Sequence, residues 1–136
     1  MTNLQNKEIT IHNDFNKYDW SSAYNNVDIE LDKKTLPLSK GTTIKELNGT
    51  LYRNGPGILE RDGQWVHHPF DGDGMITAIK FENGEATISN KFVRTKGYLE
   101  EKKQNKFIYR GVFGTQKRGG LLNNLFDLKI KNIANT

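Results

Sequence analysis

Cysteine is absent from the 136 residues. Thiol catalysis, disulfides and Cys-based zinc or iron–sulfur sites are therefore excluded. Histidine is scarce: His12, His67 and His68 are the whole supply, so an all-His metal site would need every one. No apolar run reaches the roughly 18 residues that a membrane-spanning helix requires. Met1 to Asn16 is polar and lacks an apolar h-region, so no secretory signal is expected and the default compartment is the cytoplasm. Excess charge is small, with 20 Lys+Arg against 16 Asp+Glu. Basic residues are scattered outside Lys91 to Lys131, and no nucleic-acid partner is expected. What remains is ordinary for one domain: AVILMFWYC at 35 %, supplemented by 13 Gly.

Residues 1–17 read as a polar leader and residues 18–136 as the domain proper. Tyr18 to Asn26 could form a short helix, with Trp20, Ala23 and Tyr24 on one face. Val27 to Leu31 alternates apolar and polar, as a strand does. Thr50 to Arg53 reads as a short strand ending at Asn54-Gly55-Pro56-Gly57, a dense turn signal. Ile58 to Trp65 suggests a strand pair around Arg61-Asp62-Gly63. Met75 to Phe81 and Ala86 to Val93 flank Asn83-Gly84, the strongest short-range hairpin signal, because a type I′ turn needs positive φ at both central residues. Gly97 to Gln104 is helix-permissive and Phe107 to Val112 reads as a strand. Short strands with Gly-rich turns favour an all-β architecture: barrel, sandwich or propeller blades.

Two stretches could carry chemistry. His67-His68-Pro69-Phe70-Asp71-Gly72-Asp73-Gly74-Met75 is the densest polar cluster. Adjacent His residues on an extended chain point to opposite faces and are poorly placed to chelate one ion. A calcium loop starting at Asp71 would put Met75 and Ile76 where an oxygen ligand and a Gly belong. The cluster reads instead as a tight turn whose carboxylates bond backbone N–H groups. The second stretch runs from Phe113 to Lys131. Leu121, Leu122, Leu125, Phe126 and Leu128 share one face at helical spacing, flanked by Lys117, Arg118, Lys129 and Lys131. Such a segment packs on the protein's own core, lies in a membrane interface or opens onto an apolar ligand. No G-x-S-x-G and no nucleophile triad is present.

Four blocks in register resemble the N-terminal part of the carotenoid cleavage oxygenases, most of all the cyanobacterial-type apocarotenoid oxygenases. They are Gly49-Thr-Leu-Tyr-Arg-Asn-Gly-Pro-Gly57, His68-Pro-Phe-Asp-Gly-Asp-Gly-Met75, Lys91-Phe-Val-Arg-Thr95 and Lys131-Asn-Ile-Ala-Asn-Thr136. The resemblance implies the N-terminal portion of a seven-bladed β-propeller with short helical and loop caps. It implies a non-haem iron(II) dioxygenase held by four His, using O2 to cleave a carotenoid or apocarotenoid double bond to carbonyl products such as retinal. It also implies peripheral attachment to membranes.

Carried over residue by residue, Phe70 matches a substrate-tunnel aromatic. Phe113, Leu121, Leu122, Leu125 and Phe126 match the membrane patch. Asp71 and Asp73 become scaffold for the loop presenting Phe70. The resemblance places the four His ligands downstream of Thr136, so no catalytic or metal-ligating residue is expected in this chain. It is expected to be an N-terminal fragment, inactive by itself and marginal in stability. The alternatives are a non-enzymatic membrane-surface or lipid-binding β domain, and a gene remnant without function.

Overall fold

The computed structural model describes residues 23–37, 45–125, 127, 129–131 and 134. Its strands are β1 (Lys34–Thr35), β2 (Gly49–Ile58), β3 (Glu60–Arg61), β4 (Gln64–Trp65), β5 (Asp73–Glu82) and β6 (Glu85–Phe92). A 3-10 turn spans Pro69–Asp71, and the helices are α1 (Lys96–Gln104) and α2 (Gly120–Asn124). Four strands form one antiparallel sheet in the order β1-β6-β5-β2, and β3 pairs with β4. The mostly-sheet architecture is the one expected of a propeller portion. The proposed leader at 1–17, and most of the helix expected at Tyr18 to Asn26, lie outside the described residues.

The Asn83-Gly84 hairpin forms as its chemistry dictates. Asn83 has φ 52° and Gly84 φ 82°, joining β5 to β6 from Glu82↔Glu85 to Met75↔Phe92. The smaller turn repeats the device, with Asp62 at φ 51° and Gly63 at φ 74° between β3 and β4. Helix α1 starts on Thr95, whose side chain accepts from the Tyr98 N–H. It ends on Asn105 in the left-handed conformation, whose N–H reaches the carbonyls of Glu101 and Lys102.

Three expectations are corrected. Asn54-Gly55-Pro56-Gly57 does not end a strand; β2 runs through it to Ile58, with a register shift between Pro56 and Ile58. Pro56 is tolerated because β2 is at the sheet edge, where a missing N–H breaks no ladder. Gly57 is needed because a Cβ there would lie 2.6 Å from Phe92 Cε1 and 2.9 Å from Met75 Cβ. Val27 to Leu31 is not a strand. It starts on β2, where Val27 N–H donates to the Gly57 carbonyl, and reaches β6 with one backbone bond, Asn90 N–H to the Leu31 carbonyl, while side chains take the neighbouring positions: Asn90 Oδ1 accepts from Leu31 N–H and Glu30 Oε1 from Phe92 N–H. Phe107 to Val112 is not a strand either, because Glu101 Oε1 takes the N–H groups of Ile108 and Tyr109. Only an isolated parallel bridge, Arg110↔Ile130, remains there.

Two apolar clusters form the core. One holds Leu59, Val66 and Phe107, the other Met75, Phe92 and Tyr98. Between them lies a buried four-charge centre. Asp73 binds Arg61 Nη2 at 2.6 Å and Lys131 Nζ at 2.9 Å, and Lys131 also binds Glu101 Oε2 at 2.7 Å. Arg61 sits over the rings of Tyr98 and Phe107, and Lys131 over Phe107. The charges cancel in pairs and the rings face the cations, which offsets part of the desolvation cost.

Candidate functional site

The site is built on the 3-10 turn. His68 has extended backbone (φ −140°, ψ 143°), and its Nδ1 accepts from the Phe70 N–H at 3.1 Å. Pro69 suits the first helical position, where no N–H is needed. Capping and proline together hold Phe70 outward, 47 % exposed. Asp71 turns inward and is almost wholly buried. Its Oδ1 accepts from Phe113 N–H at 2.9 Å, and its Oδ2 from Thr115 N–H at 3.0 Å and Thr115 Oγ1 at 2.7 Å. Thr115 Oγ1 in turn accepts from His67 N–H. Gly111 leaves room for this clasp, since a Cβ there would lie 2.2 Å from Asp71 Cγ.

The clasp brings two sequence-predicted residues together. Phe70 and Phe113 meet edge to face, with centroids 5.5 Å apart. His68 completes the cluster, stacked on Phe113 at 5.0 Å and edge-on to Phe70 at 4.9 Å. Phe113 remains 45 % exposed, so the three rings present an aromatic surface to solvent. The role of Asp71 as scaffold agrees with this geometry. Asp73 is scaffold too, but through the four-charge centre.

The patch beyond Phe113 is less helical than its spacing suggests. Helix α2 covers five residues, and Leu125 lies past its end. Asn124 closes the segment on itself: its Oδ1 accepts from Lys117 N–H, and its Nδ2 donates to the carbonyls of Lys117 and Gly120. Leu122 is 84 % exposed and Leu125 about half exposed, at 49 %. Phe126, Leu128 and the side chain of Leu121 lie outside the described residues. Of the flanking cations, Lys117 pairs with Asp127 and Arg118 with Asp62. Lys131 does not flank the patch at all; it is buried in the four-charge centre. Among the described residues, no helix is long and apolar enough to cross a membrane.

Electrostatics ties this segment down. The Lys117 ammonium, with the Lys129 N–H, holds the Asp127 carboxyl below its ordinary value of 3.8. Arg94 and the Phe92 N–H likewise hold Glu30 below 4.5. Depressed carboxyls stabilise the fold fully above their ordinary values and lose that effect as pH falls through the lower folded ones. Acidification below about pH 4 is therefore expected to release both contacts. Hydrogen-exchange protection at the Lys129 and Phe92 amides should fall there while staying flat from pH 5 to 7.

The residues present do not fit an iron centre. Among the described residues no three His, Cys, Asp or Glu side chains are grouped to hold a metal. His67 packs against Gly114, whereas His68 commits Nδ1 to Phe70. Asp71, Asp73 and Glu101 are taken by protein donors. Sequence reasoning missed Thr115 and Glu101, and misplaced Arg61, read only as part of a turn, and Lys131, read as a flank of the apolar face. Thr115 and Lys131 meet Asp71 and Asp73 across 44 and 58 residues, and Arg61 meets Asp73 across 12, so no local spacing signals the contacts.

The sequence model of the RPE65 family, retinal pigment epithelial membrane protein, matches residues 24–136. The chain is 50 % identical over 123 residues to the apocarotenoid-15,15'-oxygenase of Synechocystis, covering 90 % of this chain and 25 % of that one. It is 37 % identical over 112 residues to carotenoid cleavage dioxygenase 7 of Oryza sativa subsp. japonica, covering 78 % and 18 %. A single-substitution mutant of Synechocystis apocarotenoid oxygenase superposes with TM-score 0.80 at 50 % identity, over 90 % of this chain and 26 % of that one. The cobalt-substituted form of the same enzyme gives TM-score 0.76 at 49 % identity, over 89 % and 25 %. The chain thus spans about a quarter of the length of the Synechocystis relative. With the four sequence blocks in register and the fold matched at half identity, the chain belongs to the carotenoid cleavage oxygenase family.

Proposed function

We propose that this chain supplies part of the substrate wall and the membrane-facing patch of an iron-dependent enzyme that cleaves carotenoids or apocarotenoids with O2. The observation that carries this reading is the exposed cluster of Phe70, His68 and Phe113, held by Asp71. A conjugated polyene is long, flat and apolar. Aromatic faces complement it, and burial contributes about 25 cal/mol per Å2. The net reaction splits one C=C bond, and each carbon gains one oxygen atom of O2 as a carbonyl. Phe70 contacts the chain of the polyene. Phe113, Leu121, Leu122, Leu125 and Phe126 make up the membrane patch from which it is drawn, with Phe113, in contact with Phe70, meeting both lipid and polyene, and the protein is a peripheral membrane protein on the cytoplasmic side. Among the described residues no side chains are grouped to hold an iron ion, and the 136 residues alone are expected to be inactive with added iron(II).

The test is a chimera in which residues 24–136 replace the matched segment of the Synechocystis oxygenase. We expect cleavage of an apocarotenal, read as loss of polyene absorbance, within about tenfold of the parent. Phe70→Ala in the chimera should raise KM. A folded chimera that loads iron but leaves the polyene intact would sink the reading.

A second reading, a lipid-binding β domain without catalysis, draws on the exposed Leu122 and Leu125. It requires that the 136-residue chain bind liposomes by itself, that Leu122→Asp with Leu125→Asp abolish this, and that the chimera show no turnover.

A further inference from the structure

The aromatic surface carries one unused polar atom. The Phe70 N–H donates to His68 Nδ1, so the neutral imidazole carries its proton on Nε2. Among the described residues no acceptor meets that Nε2–H. The ring has little freedom to seek one elsewhere. It is stacked on Phe113 at an interplanar angle of 27°, set against Phe70 at 66°, and anchored through Nδ1. The neighbouring polar groups are spent: the Asp71 carboxylate is buried under its donors from Phe113 and Thr115. His67 turns away, against Gly114.

We propose that His68 is a specificity-determining residue whose Nε2–H donates a hydrogen bond to the terminal oxygen of a polyene lying across Phe70 and Phe113. The inference rests on the reading of those two rings as the polyene-contacting surface. A carbonyl or hydroxyl end supplies the acceptor that the fixed imidazole lacks. A hydrocarbon end covers the N–H without pairing it, and an unpaired covered donor is penalised. The resulting preference for an oxygenated over a hydrocarbon terminus is about three- to tenfold, the worth of one neutral hydrogen bond.

The experiment compares an apocarotenal with its methyl-terminated hydrocarbon analogue. Affinities, from the shift of the polyene absorbance on binding, and kcat/KM are both measured in the full-length chimera. His68→Phe keeps a stacking ring and loses the donor. His68→Asp keeps an acceptor for the Phe70 N–H and loses both ring and donor. The readout is the aldehyde-to-hydrocarbon ratio, so a general loosening of the site cancels. We expect a ratio of about three to ten in the parent, falling to about one in both variants. A parent ratio near one, or a ratio that survives in His68→Phe, overturns the proposal. The underlying reading fails differently: Phe70→Ala and Phe113→Ala would then leave both affinities unchanged. Failure of the folded chimera to bind either polyene overturns reading and proposal together.

Discussion

Asp73→Ala is expected to cost about 3–5 kcal/mol, the usual result of orphaning a buried ionic partner. Asp73 is the one carboxylate shared by two buried cations, Arg61 and Lys131. Lys131 would still have Glu101 at 2.7 Å. Arg61 would keep only the ring faces of Tyr98 and Phe107, which neutralise no charge. Its guanidinium already has one buried N–H, Nε, without a partner. A complete domain has roughly 5–15 kcal/mol in all and a chain of marginal stability less, so the substitution removes a large share. Urea denaturation should show the midpoint dropping steeply or the cooperative transition vanishing. A loss below about 1 kcal/mol, typical of a surface ion pair, would mean that water screens the centre.

Asp71→Asn should cost about 2–4 kcal/mol, because an amide placed among donors both loses an acceptor and adds a competing donor. The carboxylate accepts from Phe113 N–H, Thr115 N–H and Thr115 Oγ1, and no rotation of Asn satisfies all three. The effect should be local as well as global. Amide exchange at Phe113 and Thr115 should accelerate before the Asn83-Gly84 hairpin opens. Thr115→Val is the graded control: it removes one hydroxyl and should cost about 1 kcal/mol. Equal effects from the two substitutions would show that the clasp rests on the hydroxyl alone.

The legible parts of the fold were those whose cause is local. Asn83-Gly84 needs nothing beyond its own φ angles, and α1 has its start at Thr95 and its stop at Asn105 within one short segment. The errors arose where a group outside the segment decides. Phe107 to Val112 alternates well enough for a strand, yet Glu101 captures its N–H groups before any strand can. Val27 to Leu31 has the pattern, but Glu30 and Asn90 put side chains into the ladder positions. Asn54-Gly55-Pro56-Gly57 carries every turn residue and still extends, because β5 pairs with Asn54, Gly55 and Pro56 on one side and a register shift accommodates Gly57. The same holds for the candidate site. Phe70 and Phe113 were each named from resemblance, one as tunnel wall and one as membrane patch. Their direct contact depends on a carboxylate 42 residues before Phe113, a separation no motif spans.

The lysine that completes the four-charge centre comes 58 residues after the aspartate it serves. A ribosome adds about 5–20 residues per second, so Lys131 follows Asp73 by roughly 3 to 12 s. The hairpin of β5 and β6 and the turn of β3 and β4 can form in that interval, being local. Glu101 then has backbone donors from Ile108 and Tyr109 but no cation. Translation speed between Gln104 and Lys131 therefore sets how long a nearly finished sheet waits with an unbalanced acid at its heart. Slow codons there would prolong that wait and lengthen the nascent chain's exposure to chaperones.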